Sequence, residues 1–482
     1  MMRRLSVIAL CLLSACSLTP AYVRPASPVP ASWPVGDAYL ARSEAALPSV
    51  SYAQVFGDPR LRQLIAQGLE NNRDLRVALA DIAQARAQYR IQRAALFPEV
   101  DGSASATRSY NGGGAASADG GGSQGAAPKG DSSAYSVGLA ATAFEIDLFG
   151  RIRSLTAAAQ DRYLEQEAAA RATRLTLVGD IATAWLTYAS DRSLLALAQD
   201  TARSAEESVS LTRQRQEEGI VPRSELDQAN QVLHAAQSDL AEQTTALAQD
   251  VNALRLLVGG AVDPSLLPAS MQEAAASVGE LPAGLDSSIL LRRPDVVQAE
   301  YELQAVNAEI GAARAALFPR ITLTALLGMT SGALSDLFTH QAANGSIGAG
   351  AGYAIFDAGA ARANLHATQA QRDAALATYE KTVQTAFMEV SDALARRGTI
   401  NAQWLAQQRL VADAASSYAF SDQRYREGVE SSLSHLDAQR SYYAAQRSLV
   451  STELVKATNL VTLYRTLGGD ATLETLPLSG SR

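Results

Sequence analysis

Few residues in this chain are equipped for chemistry. Four histidines (His234, His340, His366, His435) stand singly along 482 residues. No two of them sit at metal-ligand spacing, and no Ser-His-Asp arrangement or Gly-x-Ser-x-Gly elbow accompanies them. The Gly-rich run Asn111–Asp131 lacks the Gly-Lys-Ser/Thr that a phosphate loop requires, so it reads as a long exposed loop. The sequence therefore offers no catalytic residues, cofactor site or metal site, and an enzyme is the poorest reading. Net charge is −8 with no basic block, which makes nucleic acid a poor partner.

The remaining reactive group is a thiol. "MMRRLSVIALCLLSAC" places Arg3 and Arg4 before an apolar core, Leu5 to Leu13, far shorter than a membrane-spanning helix. "LSAC" at Leu13 to Cys16 reads as a lipobox. Cleavage would remove residues 1–15 as a signal peptide, and acylation by chains such as palmitate would fall on Cys16. Ser17 after it favours the outer membrane, where an Asp would favour retention in the inner one. The other reading is a plain secretory signal with an incidental cysteine. Loss of Arg3 and Arg4 takes the mature chain from −8 to −10. Cys11 leaves with the signal, so no internal disulfide or Cys-based cluster is possible.

Chemistry being scarce, the elements carry the information. "RAALFP" occurs at Arg93–Pro98 and again at Arg314–Pro319, an offset of 221. Around it, Arg73–Val100 lies over Pro294–Ile321. Further on, Phe144–Ser154 lies over Tyr353–Ala363, with Asp147 over Asp357 at an offset of 210. Glu217–Gln237 lies over Arg426–Gln446, with Asp227 over Asp437, again at 210, and "LLVGG" lies over "RTLGG". The period is too long for a solenoid and reads as one duplicated module.

Each copy runs in the same order. A helix ends at Leu-Phe-Pro. Two segments of period two follow, Ile321–Met329 and Ile347–Ile355 in the second copy, Glu99–Tyr110 and Tyr135–Asp147 more weakly in the first. No proline then occurs from Pro128 to Pro222, or from Pro319 to Pro477. That leaves room for helices of roughly 65 residues, ~100 Å long. After the first turn, Leu226, Leu233, Leu240, Leu247 and Leu254 recur every seventh residue, a coiled-coil seam. Leu436, Tyr443, Val450, Ala457 and Tyr464 match it in the second copy. The expected plan is a signal peptide at 1–15, a lipid-anchored segment at 16–55, and a first repeat at 56–258. That repeat holds a helix, a strand hairpin at 99–147 and a helical hairpin at 150–258. A linker at 259–291 leads to a second repeat at 292–467, with strands at 320–357 and a helical hairpin at 359–467. A tail at 468–482 closes the chain. Four strands with two open edges need closure in a membrane, and three copies give twelve, an even number suited to a barrel.

With these parts in view, the chain resembles the TolC/OprM-type outer-membrane factors of tripartite efflux systems, in the NodT-like lipoprotein branch. The matching stretches are Phe56–Leu75, "RAALFP", "FEIDLFGRIR", Leu290–Glu300 ("LLRRPDVVQAE") and Tyr425–Tyr443. The resemblance implies an α+β membrane protein. It would form a homotrimer, with a twelve-stranded outer-membrane β-barrel and a periplasmic tunnel of long antiparallel coiled-coil hairpins. Its partners would be outer-membrane lipid, a periplasmic adaptor (membrane fusion) protein and an inner-membrane RND-type transporter. It would conduct small molecules such as drugs or toxic compounds without chemistry. An outlet for type I protein secretion, or a periplasmic coiled-coil adaptor or scaffold, are the other readings. The resemblance also puts a periplasmic gate at the hairpin turns. Asp437 matches an acidic constriction position, where three carboxylates would repel and attract cations; otherwise it is an ordinary helix-start residue. Tyr425 matches a tyrosine that hydrogen-bonds between tips. Glu430 and Ser434 stand where some relatives carry an arginine and a second acid. Arg223, Glu225 and Asp227 on the other turn are candidate salt-bridge partners, or solvated helix charges.

Overall fold

The computed structural model describes residues 17–34, 36, 38–39, 52–110, 132–279 and 287–468. Cys16 and the signal stretch, the Gly-rich run at 111–131, linker residues 280–286 and the tail from 469 lie outside the described residues. The main elements are helices α1 (Tyr52–Val55), α2 (Pro59–Asn71) and α3 (Arg73–Ala94), then strands β1 (Asp101–Ser109) and β2 (Ser132–Glu145). The first long hairpin is α4 (Arg151–Glu217) and α5 (Arg223–Val258), followed by the short α6 (Met271–Ala276). Then come α7 (Pro294–Ala315), β3 (Arg320–Ser331), β4 (Ala343–Gly352), and the second long hairpin, α8 (Ala360–Arg426) and α9 (Ser432–Thr466). Contacts divide the chain into two units, one holding Gln84–Tyr163 and Tyr301–Leu376 with the stretch up to Arg24, the other Pro25–Ala83, Leu164–Glu300 and the chain from Ala377 onward.

The first unit is organised by one antiparallel sheet in the order β1-β2-β3-β4. Its register sorts side chains by polarity, because alternate residues face opposite ways. Val137, Leu139, Leu323, Leu327, Met329 and Ile347 share one face. Ser103, Ser105, Ser136, Thr322, Thr324, Ser346 and Gly348 share the other. On that polar face Ser105 and Ser136 hydroxyls meet at 2.8 Å. A bulge between Ala141 and Phe144, with Ala143 at φ 53°, adds one residue to β2. It brings Phe144 opposite Leu323 and keeps it on the apolar face. The strand expected to reach Ile355 stops at Gly352. Its last partner is Arg320, and the residue before that is Pro319, which has no N–H to extend the ladder. Tyr353, Ile355 and Phe356 are accordingly exposed beyond the strand. Exposed aromatics thus mark both ends of the sheet: Phe97, Phe318, Tyr353 and Phe356 at one, Tyr110 and Phe338 at the other.

The second unit packs the long hairpins around a core of Phe56, Leu61, Leu64, Ile65, Ile181, Trp185 and Leu254. The Trp185 indole N–H donates to the Leu266 carbonyl at 3.0 Å. Gly259 closes α5 at φ 75°, and a Cβ there would lie 2.5 Å from the Asn71 carbonyl, so no other residue fits. Along α5, the leucine ladder is completed by a second set at heptad spacing. Ala229, Ala236 and Gln243 are buried, and the next member is Asp250. Asp250 lies beside Asp191 of α4. Burial first, then repulsion from Asp191, push its carboxyl up to about 7. Asn459 of α9 donates to the Ala393 carbonyl of α8 at 3.0 Å, holding the second hairpin antiparallel.

Candidate functional site at the hairpin turns

Both long helices end the same way. Gly219 at φ 75° lets the Ile220 N–H reach the Arg215 carbonyl and the Gly219 N–H the Gln216 carbonyl. Gly428 at φ 76° does the same for Val429 to Arg424 and for itself to Tyr425. These are Schellman closures, in which a left-handed glycine satisfies the last carbonyls. They fall at an offset of 209, as do the following N-caps, Pro222 and Ser431. Measured from these closures, Asp437 corresponds to Gln228 rather than to Asp227. The 210 offset expected from the acids alone is one residue out, a turn of about 100° around the helix.

At the second turn, Tyr425 is buried and bonded from three sides. Its hydroxyl lies 3.1 Å from the Thr212 hydroxyl of α4. The Arg215 guanidinium lies 4.8 Å from its ring centroid and 3.4 Å from its carbonyl. His435 of α9 stacks on its other face, with centroids 4.7 Å apart. Farther along, Gln439 donates to Ser204 at 3.0 Å, and Ser204 meets the Tyr418 hydroxyl at 3.2 Å. The two hairpins are thus pinned together by α4, α8 and α9. His435 is 2% exposed, with Nδ1 3.8 Å from Asp422. Burial is the main influence holding its imidazole below its usual range; Arg426 adds to this, while Asp422 and Glu430 oppose it.

The other expected gate residues are placed differently. Glu430 accepts from Arg424 of its own turn at 2.8 Å. Ser434 closes the α9 N-cap, its N–H donating to Ser431 Oγ at 3.3 Å. Arg223 pairs at 3.9 Å with Asp227 one turn along the same helix, and Glu225 stands in that helix's first turn. These charges stay on their own helix, and the link between turns is made by Arg215 and Thr212. Asp437 is 76% exposed, with Arg440 of its own helix at 4.0 Å. Sequence reasoning missed Arg215, Thr212 and His435. The usable signal was that Arg215 and Arg424 are equivalent at offset 209, while Val221 stands where Glu430 stands in the second turn. Arg215 therefore has no carboxylate in its own turn at that position.

The duplication has a counterpart in known sequences. A model of the family described as "Outer membrane efflux protein" matches residues 64–260 and again 285–469. The chain belongs to the outer membrane efflux protein family. This efflux protein is 42% identical over 475 residues to the solvent efflux pump outer membrane protein SrpC of Pseudomonas putida, covering 97% of this chain and 98% of that one. It is 38% identical to the outer membrane protein OprJ of Pseudomonas aeruginosa, covering 95% and 93%. Among solved structures it is similar to the open state of the Neisseria gonorrhoeae MtrE outer membrane channel. The TM-score there is 0.82 at 32% identity, covering 94% of this chain and 98% of that one.

Proposed function

We propose that this efflux protein is the outer-membrane channel of a tripartite pump, conducting small toxic molecules outward without chemistry. The observation that carries this is the sheet register. One face carries Val137, Leu139, Leu323, Leu327, Met329 and Ile347, and the other, Leu326 apart, is mainly Ser, Thr and Gly, on strands whose outer edges, β1 and β4, are unpaired by other described strands. Such a sheet fits a barrel wall, apolar side to lipid and polar side to water. Three copies close twelve strands, and the exposed aromatics at its two ends suit the two interfaces of a membrane. In that trimer the coiled-coil hairpins form the periplasmic tunnel. Their turns face the adaptor and the inner-membrane transporter, and Cys16 carries the lipid anchor. The Tyr425 cluster is the latch that keeps the turns together. Asp437, exposed and bonded to nothing in the core, contributes a ring of three carboxylates that favours cations. Relatives named for solvent and toluene efflux support small apolar molecules as cargo.

The test is planar-bilayer conductance of the purified full chain. Small, cation-preferring steps are expected, and Asp437→Ala should weaken the cation preference. A folded protein that gives no steps would overturn the channel reading.

A further inference from the structure

At the end of the sheet nearest the long helices, a cleft of about 410 Å³ opens within the first unit. It is lined by Glu145, Arg151, Arg320, Asp357 and Arg362, and by Phe149 and Phe318. The two phenylalanine rings stack at 4.7 Å and 16° and form an apolar part of its wall. Three carboxylates, Glu145, Asp147 and Asp357, and three arginines, Arg151, Arg320 and Arg362, share its lining. Glu145 is engaged by Arg151 through two hydrogen bonds of 2.8 and 2.7 Å and is only 15% exposed. Asp147 accepts from the Arg153 backbone N–H at 2.8 Å, capping the start of α4. Asp357 accepts from the N–H groups of Gly359 and Ala361, capping the start of α8. Every carboxylate lining the cleft is thereby occupied.

Arg320 is different. Its one carboxylate neighbour is Glu145, at 3.4 Å and already doubly bonded to Arg151, and its side chain is 63% exposed. Its ladder partner is Gly352, where a Cβ would meet nothing within 4 Å, so there is open space beside the guanidinium. Arg362, also exposed, stands on the same rim, where its charge acts on Asp357. A planar fork of donors and an aromatic pair lining one cleft are the two elements that hold a carboxylate attached to a flat ring.

We propose that this cleft is a binding site for aromatic carboxylates, held by Arg320 and seated on Phe149 and Phe318. The site is built from residues of one chain, at the end of the β4 edge that adjoins the next copy in the proposed trimer. It recognises charge as well as apolar bulk, so a neutral molecule of the same shape binds less tightly.

The experiment is fluorescence titration of purified full-length protein in detergent with 2-naphthoate and, separately, with neutral 2-naphthylmethanol. The expected result is saturable naphthoate binding that weakens about tenfold in Arg320→Gln, as one partly shielded ion pair predicts. Arg320→Lys should recover part of the loss, and the neutral compound should bind both proteins alike. Phe318→Ala should weaken both ligands. Equal naphthoate affinity in wild type and Arg320→Gln overturns the proposal, as does equal affinity for the charged and neutral compounds or no saturable binding at all.

Discussion

Replacing Arg215 by alanine isolates the contact that joins the two hairpin turns. The guanidinium covers the Tyr425 ring at 4.8 Å. That is a cation–π contact at a half-buried site, about 1–2 kcal/mol. Its approaches to the Tyr425 and Arg426 carbonyls are 3.4 Å and add little. Tyr425→Phe keeps the ring and removes one neutral hydrogen bond, about 1 kcal/mol, because Thr212 retains its bond to the Ser208 carbonyl at 2.8 Å. A change of about 1.4 kcal/mol shifts a two-state equilibrium about tenfold, so Arg215→Ala should raise the open fraction by roughly that factor and Tyr425→Phe by about fivefold. The two act on different atoms, so their effects should add. Thr212→Val with Tyr425→Phe removes one shared bond, so that pair should not add. Single-channel recording of open probability reads all four. The reasoning fails if Arg215→Ala and Tyr425→Phe leave open probability unchanged while Asp437→Ala raises it.

Three further outcomes follow from other sites. The proton held by Asp250 in the native state, with its carboxyl at about 7, is released by the unfolded chain at much lower pH. Its contribution is complete below the ordinary carboxylate range and is lost as pH rises through 7. Asp250→Asn should therefore raise Tm by about 2 °C or more at pH 8 and by less at pH 5, read by calorimetry; an equal gain at both would contradict the proton on Asp250. At Gly311 a Cβ would overlap Thr19 and Ser154, where the segment Ser17–Pro20 is tied by Asn307 to the Pro20 carbonyl and by Arg314 to the Leu18 carbonyl. Gly311→Ala should displace that segment and speed chymotryptic cleavage after Tyr22 several-fold, whereas unchanged cleavage would mean the segment is held elsewhere. Cys16→Ser should remove the acyl mass from the mature N-terminus in mass spectrometry, and an unacylated wild type would restore the plain-signal reading.

The parts of the structure that repeat at short range were legible from sequence. Alternation from Ile321 to Met329 and the leucine ladder from Leu226 to Leu254 are local, and each reports a period directly. The strand end at Gly352 was misjudged because it depends on Pro319, which lies opposite in space rather than adjacent in sequence. The bulge at Ala141–Phe144 was invisible for the same reason. Asp250 is hidden in the sequence because its heptad set, Ala229, Ala236 and Gln243, is small and polar and carries no leucine periodicity. At the turns, Tyr425 was found through resemblance, whereas its partners Thr212 and Arg215 lie 213 and 210 residues away. Aligning the two copies on their acids instead of their glycines hid the equivalence of Arg215 with Arg424.

That equivalence has a consequence for symmetry. Arg215 and Arg424 began as the same residue of one ancestral hairpin, yet one reaches across to a neighbour and the other folds back on Glu430. Six identical hairpins in a ring would make six identical contacts, all obliged to break together. With Val221 in one copy and Glu430 at the equivalent place in the other, the contacts are of two kinds in alternation. In the proposed trimer, sixfold degeneracy is thereby lowered to threefold, and the seam within a chain, bridged by Arg215, opens independently of the seam between chains. Duplication with one charge present in a single copy is enough to give such a ring a defined place to part.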